Sequence, residues 1–131
     1  MLDTNVVSEL RKPKPHGAVV AWVEGLEPSQ IFLAAVTLGE LQAGIELTRK
    51  QDPAKAHKIE TWVDGLAGSF RVLPMDAACF REWARLMHAK PGDLSEDGMI
   101  AAAARVHGLT VATRNTRDFS RLGVSVLNPF R

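Results

Sequence analysis

The chain reads as one α/β domain built on a parallel sheet, and three observations carry that expectation. Short apolar runs alternate with longer stretches of helical periodicity, the pattern of repeated βα units. The runs are continuous rather than alternating in polarity, as strands covered by helices on both faces require. Four acidic residues far apart in sequence, Asp3, Glu40, Asp97 and Asp118, each fall where a run ends or a helix begins. With 131 residues, 46% hydrophobic and 24% charged, residues 1–131 suffice for a single core and give no reason to seek a second domain.

The elements follow in order. Asp3 closes the first strand; only Met1 and Leu2 precede it, so that strand is either a stub or one with a clipped start. Thr4 and Asn5 open a short helix. Pro15 to Leu26, with Val19, Val20, Trp22 and Val23, is the next helix. The turn signal Glu27-Pro28-Ser29 introduces a strand over Ile31 to Ala35, and a helix from Thr37 to Lys50 carries Leu38, Leu41, Ile45 and Leu47. Lys55 to Leu66 places Ile59, Trp62, Val63 and Leu66 on one face, and Gly68-Ser69 leads into a strand over Phe70 to Leu73. Asp76 to His88 carries Cys79, Phe80, Trp83, Leu86 and Met87, and Trp and Phe residues on such stripes are expected in the core. After the loop signal Lys90-Pro91-Gly92-Asp93, Ser95 to His107 is nearly all Ala with Met99, Ile100 and Val106. That helix is apolar around most of its circumference and should pack centrally. Gly108 precedes a strand over Leu109 to Ala112, Asp118 to Leu122 forms a short helix, and Gly123 precedes a strand over Val124 to Leu127.

The formal net charge of +1 says little about partners, because a balanced total hides local patches. Arg11, Lys12 and Lys14 form one basic cluster; Arg114, Arg117 and Arg121 form another beside Asp118. Both read either as solvated surface or as a rim that tracks phosphates. The single cysteine, Cys79, has no internal disulfide partner and sits in an apolar pattern, as a core thiol in a reducing compartment would. No apolar run approaches the roughly 18 residues that span a bilayer, and the start lacks a charged-then-apolar leader, so a soluble, cytoplasmic protein without membrane contact is expected.

In a parallel α/β sheet the four acids would lie along one edge, the carboxyl ends of the strands, where such folds build their sites. Taken singly, each has a structural explanation. Thr37-Leu38-Gly39-Glu40 reads as a capping box in the first turn of its helix. Asp97 would be stabilised by a helix dipole, and Asp118 would start its helix. Glu96 competes with Asp97, but Asp97 shares a stripe with Ile100, Ala101 and Ala104, whereas Glu96 is turned about 100° away. Taken together, four gathered carboxylates raise one another's pKa and call for a compensating cation. Oxygen ligands without a nearby His or Cys select Mg2+ or Mn2+ over zinc, and His16, His57, His88 and His107 show no ligand spacing. A hard-metal site of this kind suits water attack on a phosphodiester. Asp3 and Asp97 would be direct or water-bridged ligands, and Glu40 and Asp118 would hold water. Asn5, Thr113 and Asn115 would orient ligands or phosphate, and Arg114 and Arg117 would meet a phosphate backbone.

The residues also carry a resemblance. Leu-Asp-Thr-Asn-Val-Val-Ser-Glu-Leu at the start, Ala-Val-Thr-Leu-Gly-Glu-Leu-Gln-Ala-Gly-Ile around Glu40, Asp97 before Ile-Ala-Ala-Ala-Ala, and Thr-Arg-Asn-Thr-Arg-Asp-Phe resemble PIN-domain ribonucleases. Their order and spacing are similar to VapC-type and FitB-like toxins of type II toxin–antitoxin modules, over essentially the whole chain to the final Asn-Pro-Phe. The resemblance implies a PIN-like three-layer fold with a central five-stranded parallel sheet flanked by helices. It implies Mg2+- or Mn2+-dependent endonucleolytic cleavage of RNA, with Asp3, Glu40, Asp97 and Asp118 as the acidic quartet. It implies a homodimer, a cognate antitoxin whose tail enters the site, a larger toxin–antitoxin assembly, and DNA contact only through the antitoxin. Two departures stand out: the clipped first strand, and Gly98 where the family commonly has a better helix former, expected to loosen that helix start by ~1 kcal/mol relative to Ala.

A competing reading is a catalytically weak PIN-like subunit that serves as a binding partner in an antitoxin-containing repressor complex. A phosphoryl-accepting or haloacid-type α/β protein fits poorly: Asp3-Thr4-Asn5 lacks the second aspartate two residues on, and no lysine follows the fourth strand.

Overall fold

The structure, a computed structural model, describes residues 1–88 and 95–131; the Lys90 to Asp93 loop signal lies outside them. Met1 to Asp3 passes directly into α1 (Thr4–Arg11). There follow α2 (Gly17–Glu24), a 3-10 turn (Pro28–Gln30), β1 (Phe32–Ala34), α3 (Ala35–Arg49), α4 (Pro53–Ser69) and β2 (Arg71–Leu73). Then come α5 (Ala77–Met87), α6 (Ser95–Val106), β3 (Val111–Ala112), α7 (Thr116–Arg121) and β4 (Val126–Leu127). Each of the four apolar runs holds a strand one or two residues shorter than the run.

β1 pairs in parallel with β2, Leu33 opposite Val72, and β3 pairs in parallel with β4, Val111 opposite Val126. The regular ladders among the described residues are thus two two-stranded sheets. Leu2 makes an isolated parallel bridge to Ala112. Its N–H donates to the Phe32 carbonyl at 2.9 Å, while Asp3 N–H donates to the Ala112 carbonyl at 2.9 Å and Ala112 N–H to the Met1 carbonyl at 2.8 Å. The segment bearing Asp3 therefore hydrogen-bonds to β1 on one side and β3 on the other.

Two apolar clusters lie against this framework. Leu2, Val6, Val7, Val19, Ile31 and Leu33 form one, with Trp22 and Trp62 packed on it. Ala34, Cys79, Ile100, Ala101, Ala104, Val111 and Phe119 belong to the other. Every residue from Ile100 to Ala104 is at most 1% exposed, so α6 is central as its composition requires. Cys79 is fully buried, and burial pushes its thiol pKa up, which suits a core thiol and not a nucleophile. Phe80 departs from the expectation of a core ring. It is 45% exposed and makes a T-shaped ring contact with Trp83, at 6.2 Å between ring centroids.

Gly98 also has a different meaning from a loosened helix start. A Cβ there would stand 2.5 Å from Met87 Sδ and 3.2 Å from Trp83 Cδ1, so its absence lets α5 and α6 approach. Trp83 Nε1 donates to the Ser95 carbonyl at 3.0 Å, fastening the first turn of α6 to α5. No helix among the described residues is long and apolar enough to cross a membrane.

Candidate active site

Asp3 is the N-cap of α1, with extended backbone and a carboxylate that accepts from Thr4 N–H. Oδ1 takes that bond at 2.7 Å and Oδ2 accepts from Thr113 Oγ1 at 2.7 Å. The side chain is buried, which raises its pKa; the two hydrogen bonds work in the opposite direction by stabilising the charge. Thr113 directly follows β3 and is also buried. Besides donating to Asp3, its hydroxyl accepts from Asn115 N–H at 2.8 Å and from Asn5 Nδ2 at 3.4 Å. Asn5, Thr113 and Asn115 therefore hold Asp3 in place.

Glu40 reaches the same edge from α3, where Thr4 Oγ1 donates to its Oε1 at 2.9 Å. The expected capping box is absent. α3 begins two residues before Thr37, with Ala34 as an N-cap that makes no side-chain bond, so Glu40 lies in the second turn. The buried Thr37 hydroxyl instead accepts from Thr4 Oγ1 at 3.2 Å. Freed of a capping role, Glu40 is raised from 4.5 to about 7. Burial is the largest cause, followed by a hydrogen bond and charge repulsion from Glu96 and by the charge of Asp3, with the Thr4 bond opposing them. Glu96 is exposed and Asp97 half-buried in the first turn of α6, as helix phase expects, yet Glu96 is near enough to Glu40 to raise its pKa.

Asp97 is half-buried in that same turn and is raised from 3.8 to about 6, by burial first and then by the charges of Asp3, Asp118 and Glu96. Asp118 does not start its helix; α7 begins at Thr116, and Asp118 lies in the first turn, half-buried. Glu40 and Asp97 therefore both feel Asp3, so carboxyls from α1, α3, α6 and α7 form one electrostatic cluster.

The donor set is carboxylate, hydroxyl and amide oxygen, and all four histidines are exposed elsewhere, which fits a hard divalent cation. Mutual repulsion between the acids is the strain that such a cation relieves. Among the described residues no three His, Cys, Asp or Glu side chains form a ready ligand set, so the fit is one of donor chemistry and charge. A groove of about 340 Å3 leads away from Thr4 and Glu40 between α1 and α3, past Ser8, Arg11, Gly44 and Thr48.

Of the two arginines at the rim, Arg117 is exposed, whereas Arg114 is engaged. Its guanidinium stacks on Phe130 and lies 3.7 Å from Glu9, a buried acid on α1 that accepts from Lys12 Nζ at 2.9 Å. Glu9 gives no signal in the sequence beyond that of an ordinary charged helix position; Thr4 reads there only as a helix opener, and Glu96 as a competitor of Asp97 that helix phase sets aside.

A family model described as PIN domain matches residues 1–124. The chain is 39% identical to the VapC ribonuclease Y4jK of Sinorhizobium fredii over 137 aligned positions, covering 99% of this chain and 96% of that one. The solved structure of FitAcB from Neisseria gonorrhoeae superposes with a TM-score of 0.88 at 34% identity, covering 99% of this chain and 97% of the other. A structure of FitAB bound to an IR36 DNA fragment superposes with a TM-score of 0.82 at 35% identity, with 99% and 94% covered.

Proposed function

The chain belongs to the PIN-domain family, and from that premise we propose that it is a Mg2+- or Mn2+-dependent endoribonuclease, the toxin of a type II toxin–antitoxin module. The observation that carries this reading is the electrostatic coupling of Asp3, Glu40, Asp97 and Asp118 at one edge, with Asp3 braced by Thr113 and Glu40 by Thr4. Asp3 and Asp97 would hold the cation directly or through water, with Glu40 and Asp118 acting through water. When bound, the cation supplies Lewis-acid activation of water and stabilises the leaving oxygen. Glu40, raised to about 7, can take a proton from an attacking water near neutral pH, while Thr4 fixes the position of its Oε1. Asn5 and Asn115 keep Thr113 aimed at Asp3, and Arg114 and Arg117 meet the RNA backbone.

The reading includes a five-stranded sheet with Met1 to Asp3 as its middle strand, which the hydrogen bonds to Phe32 and Ala112 support. It also includes a homodimer in the cytoplasm, silenced by a cognate antitoxin through which any DNA contact is made. The similarity to complexes titled FitAcB and FitAB supports this.

The test is cleavage of a mixed structured-RNA substrate by antitoxin-free protein with Mg2+, with Mn2+ and with EDTA, beside Asp97→Asn. Cleavage should require metal and vanish in the variant while its melting temperature is retained. A second reading, a catalytically weak subunit of a DNA-binding repressor complex, is favoured by the lack of a ready three-ligand set among the described residues and by the DNA-bound relative. Metal-independent behaviour of folded protein, with no cleavage, would select it.

A further inference from the structure

Arg114 reaches the rim already oriented. Its guanidinium carbon stands 3.9 Å from the centroid of the Phe130 ring. Phe130 is itself braced, meeting His16 edge-on at 5.5 Å and 71°, with its N–H donating to Asn128 Oδ1 at 3.0 Å. On the other side is Glu9, only 6% exposed. Its charge is met by Lys12 Nζ at 2.9 Å on Oε1 and by His16 N–H at 3.0 Å on Oε2. At 3.7 Å from Oε1, Arg114 lies beyond hydrogen-bonding range of Glu9, so it is steered by that charge without being consumed by it. Its side chain is 55% exposed, and its N–H fork is open to a ligand.

Arg71 also lies over a ring, that of Phe32, at a longer 5.0 Å, whereas Arg49 and Arg105 are used differently. Arg49 is closed into a pair of carboxylates, Glu46 at 3.0 Å and Glu60 at 2.9 Å. Arg105 donates to the Gly123 carbonyl at 2.6 Å and pairs with Glu82 at 3.4 Å.

The position of Arg114 is set by the site. It follows Thr113, whose hydroxyl holds Asp3, and its own N–H points to Asn5 Oδ1 at 3.4 Å. Glu9 lies five residues beyond Thr4 on α1, roughly 7 Å along the axis at the rise of an α-helix. The guanidinium therefore sits on the α1 side, one residue along the chain from the threonine that holds Asp3. A planar cation stacked on a ring keeps its fork in one plane and loses less freedom on meeting a phosphate than a free lysine or arginine.

We propose that Phe130, with Glu9, is a positioning residue that presets the Arg114 guanidinium as a clamp for a backbone phosphate neighbouring the one cleaved. The proposal rests on the nuclease reading.

The experiment measures kcat and KM of partner-free protein with Mg2+ on a single-stranded RNA oligonucleotide between about 50 and 200 mM salt. Arg114→Gln, Phe130→Leu and Phe130→Trp are compared with Lys50→Gln, which removes the same charge from an exposed helix end. Arg114→Gln should raise KM about tenfold, with kcat within about twofold, and flatten the slope of log(kcat/KM) against log salt by about 0.7, one single-strand phosphate contact. Phe130→Leu should raise KM roughly threefold to fivefold, the fold-change of one cation–π contact. Phe130→Trp should restore it, and Lys50→Gln should change neither quantity.

The proposal is overturned if the wild type cleaves but Phe130→Leu matches it in KM and salt slope. It is equally overturned if Phe130→Leu loses kcat and thermal stability together without a KM effect. Absence of metal-dependent cleavage by the wild type is a different failure: it removes the nuclease reading and this inference with it.

Discussion

Thr113 donates to Asp3 Oδ2 and accepts from Asn115 and Asn5, so its proton and both lone pairs have partners. Thr113→Val keeps the shape and deletes the bond to a buried carboxylate, an interaction worth roughly 1.5–3 kcal/mol when one partner is charged. The variant should lose about that much stability in denaturant unfolding. Its Asp3, held up by burial with one fewer opposing hydrogen bond, should move the acid limb of the pH–rate profile to higher pH. Thr113→Ser should recover both properties. At this scale Asp3, Asp97, Asp118 and Thr113 were conspicuous in the sequence because each sits next to a strand or helix boundary, whereas Glu40 was noticed through a capping box that α3 does not make. Phase on a helix locates a Cβ, so it separated half-buried Asp97 from exposed Glu96 but could not show that the Glu96 charge is felt at Glu40. Glu9 was invisible for the opposite reason: what buries it is the chain around Lys12, His16 and Arg114, which are remote from or irregularly placed against the helix pattern.

Helix α6 carries Asp97 and is fitted to α5 at Gly98, and two opposing effects act on any substitution there. Alanine would favour the helix by about 1 kcal/mol over glycine. Its Cβ, 2.5 Å from Met87 Sδ and 3.2 Å from Trp83 Cδ1, would overpack a joint in which Trp83 is fixed by its bond to the Ser95 carbonyl, and such overpacking costs typically 1–3 kcal/mol. The clash wins, so Gly98→Ala should lower the midpoint of unfolding and reduce any metal-dependent activity, because Asp97 is one residue away. In a Met87→Ala background the sign should reverse and Gly98→Ala should stabilise; a further loss there would show that packing against Met87 is not the reason for the glycine. Periodicity located this helix and its burial correctly, since runs of alanine and Ile100 leave no polar face to expose. Helix starts were less accessible. α3 begins at Ala35 without a side-chain cap, and the threonine that looked like its cap is used by Thr4 of another helix.

Across the whole molecule, alternation of apolar runs and helical patterns was enough to place four parallel strands. It could not show how Met1 to Asp3 engages them, because that depends on backbone bonds to Phe32 and Ala112 from opposite sides. The arrangement that results gathers acids from the starts of α1, α6 and α7 and from the second turn of α3, and gathering like charges has a consequence for stability. Glu40 rises from 4.5 to about 7 and Asp97 from 3.8 to about 6 on folding. A group whose folded pKa is raised binds more protons in the folded state over the interval between its two values, so stability falls as pH rises through that interval. This contribution is fully present below about pH 4 and is lost as pH rises through about 7, with Asp97 titrating ahead of Glu40. Metal-free protein should therefore lose thermal stability from pH 5 to 8, and Glu40→Gln or Asp97→Asn should flatten the decline. A divalent cation bound by the ionised acids competes with their protons. Added Mg2+ should accordingly raise the melting temperature more at pH 8 than at pH 5, and the difference should shrink in Asp97→Asn. An equal Mg2+ effect at both pH values, unchanged in the variant, would mean that the cation stabilises the protein somewhere other than this edge.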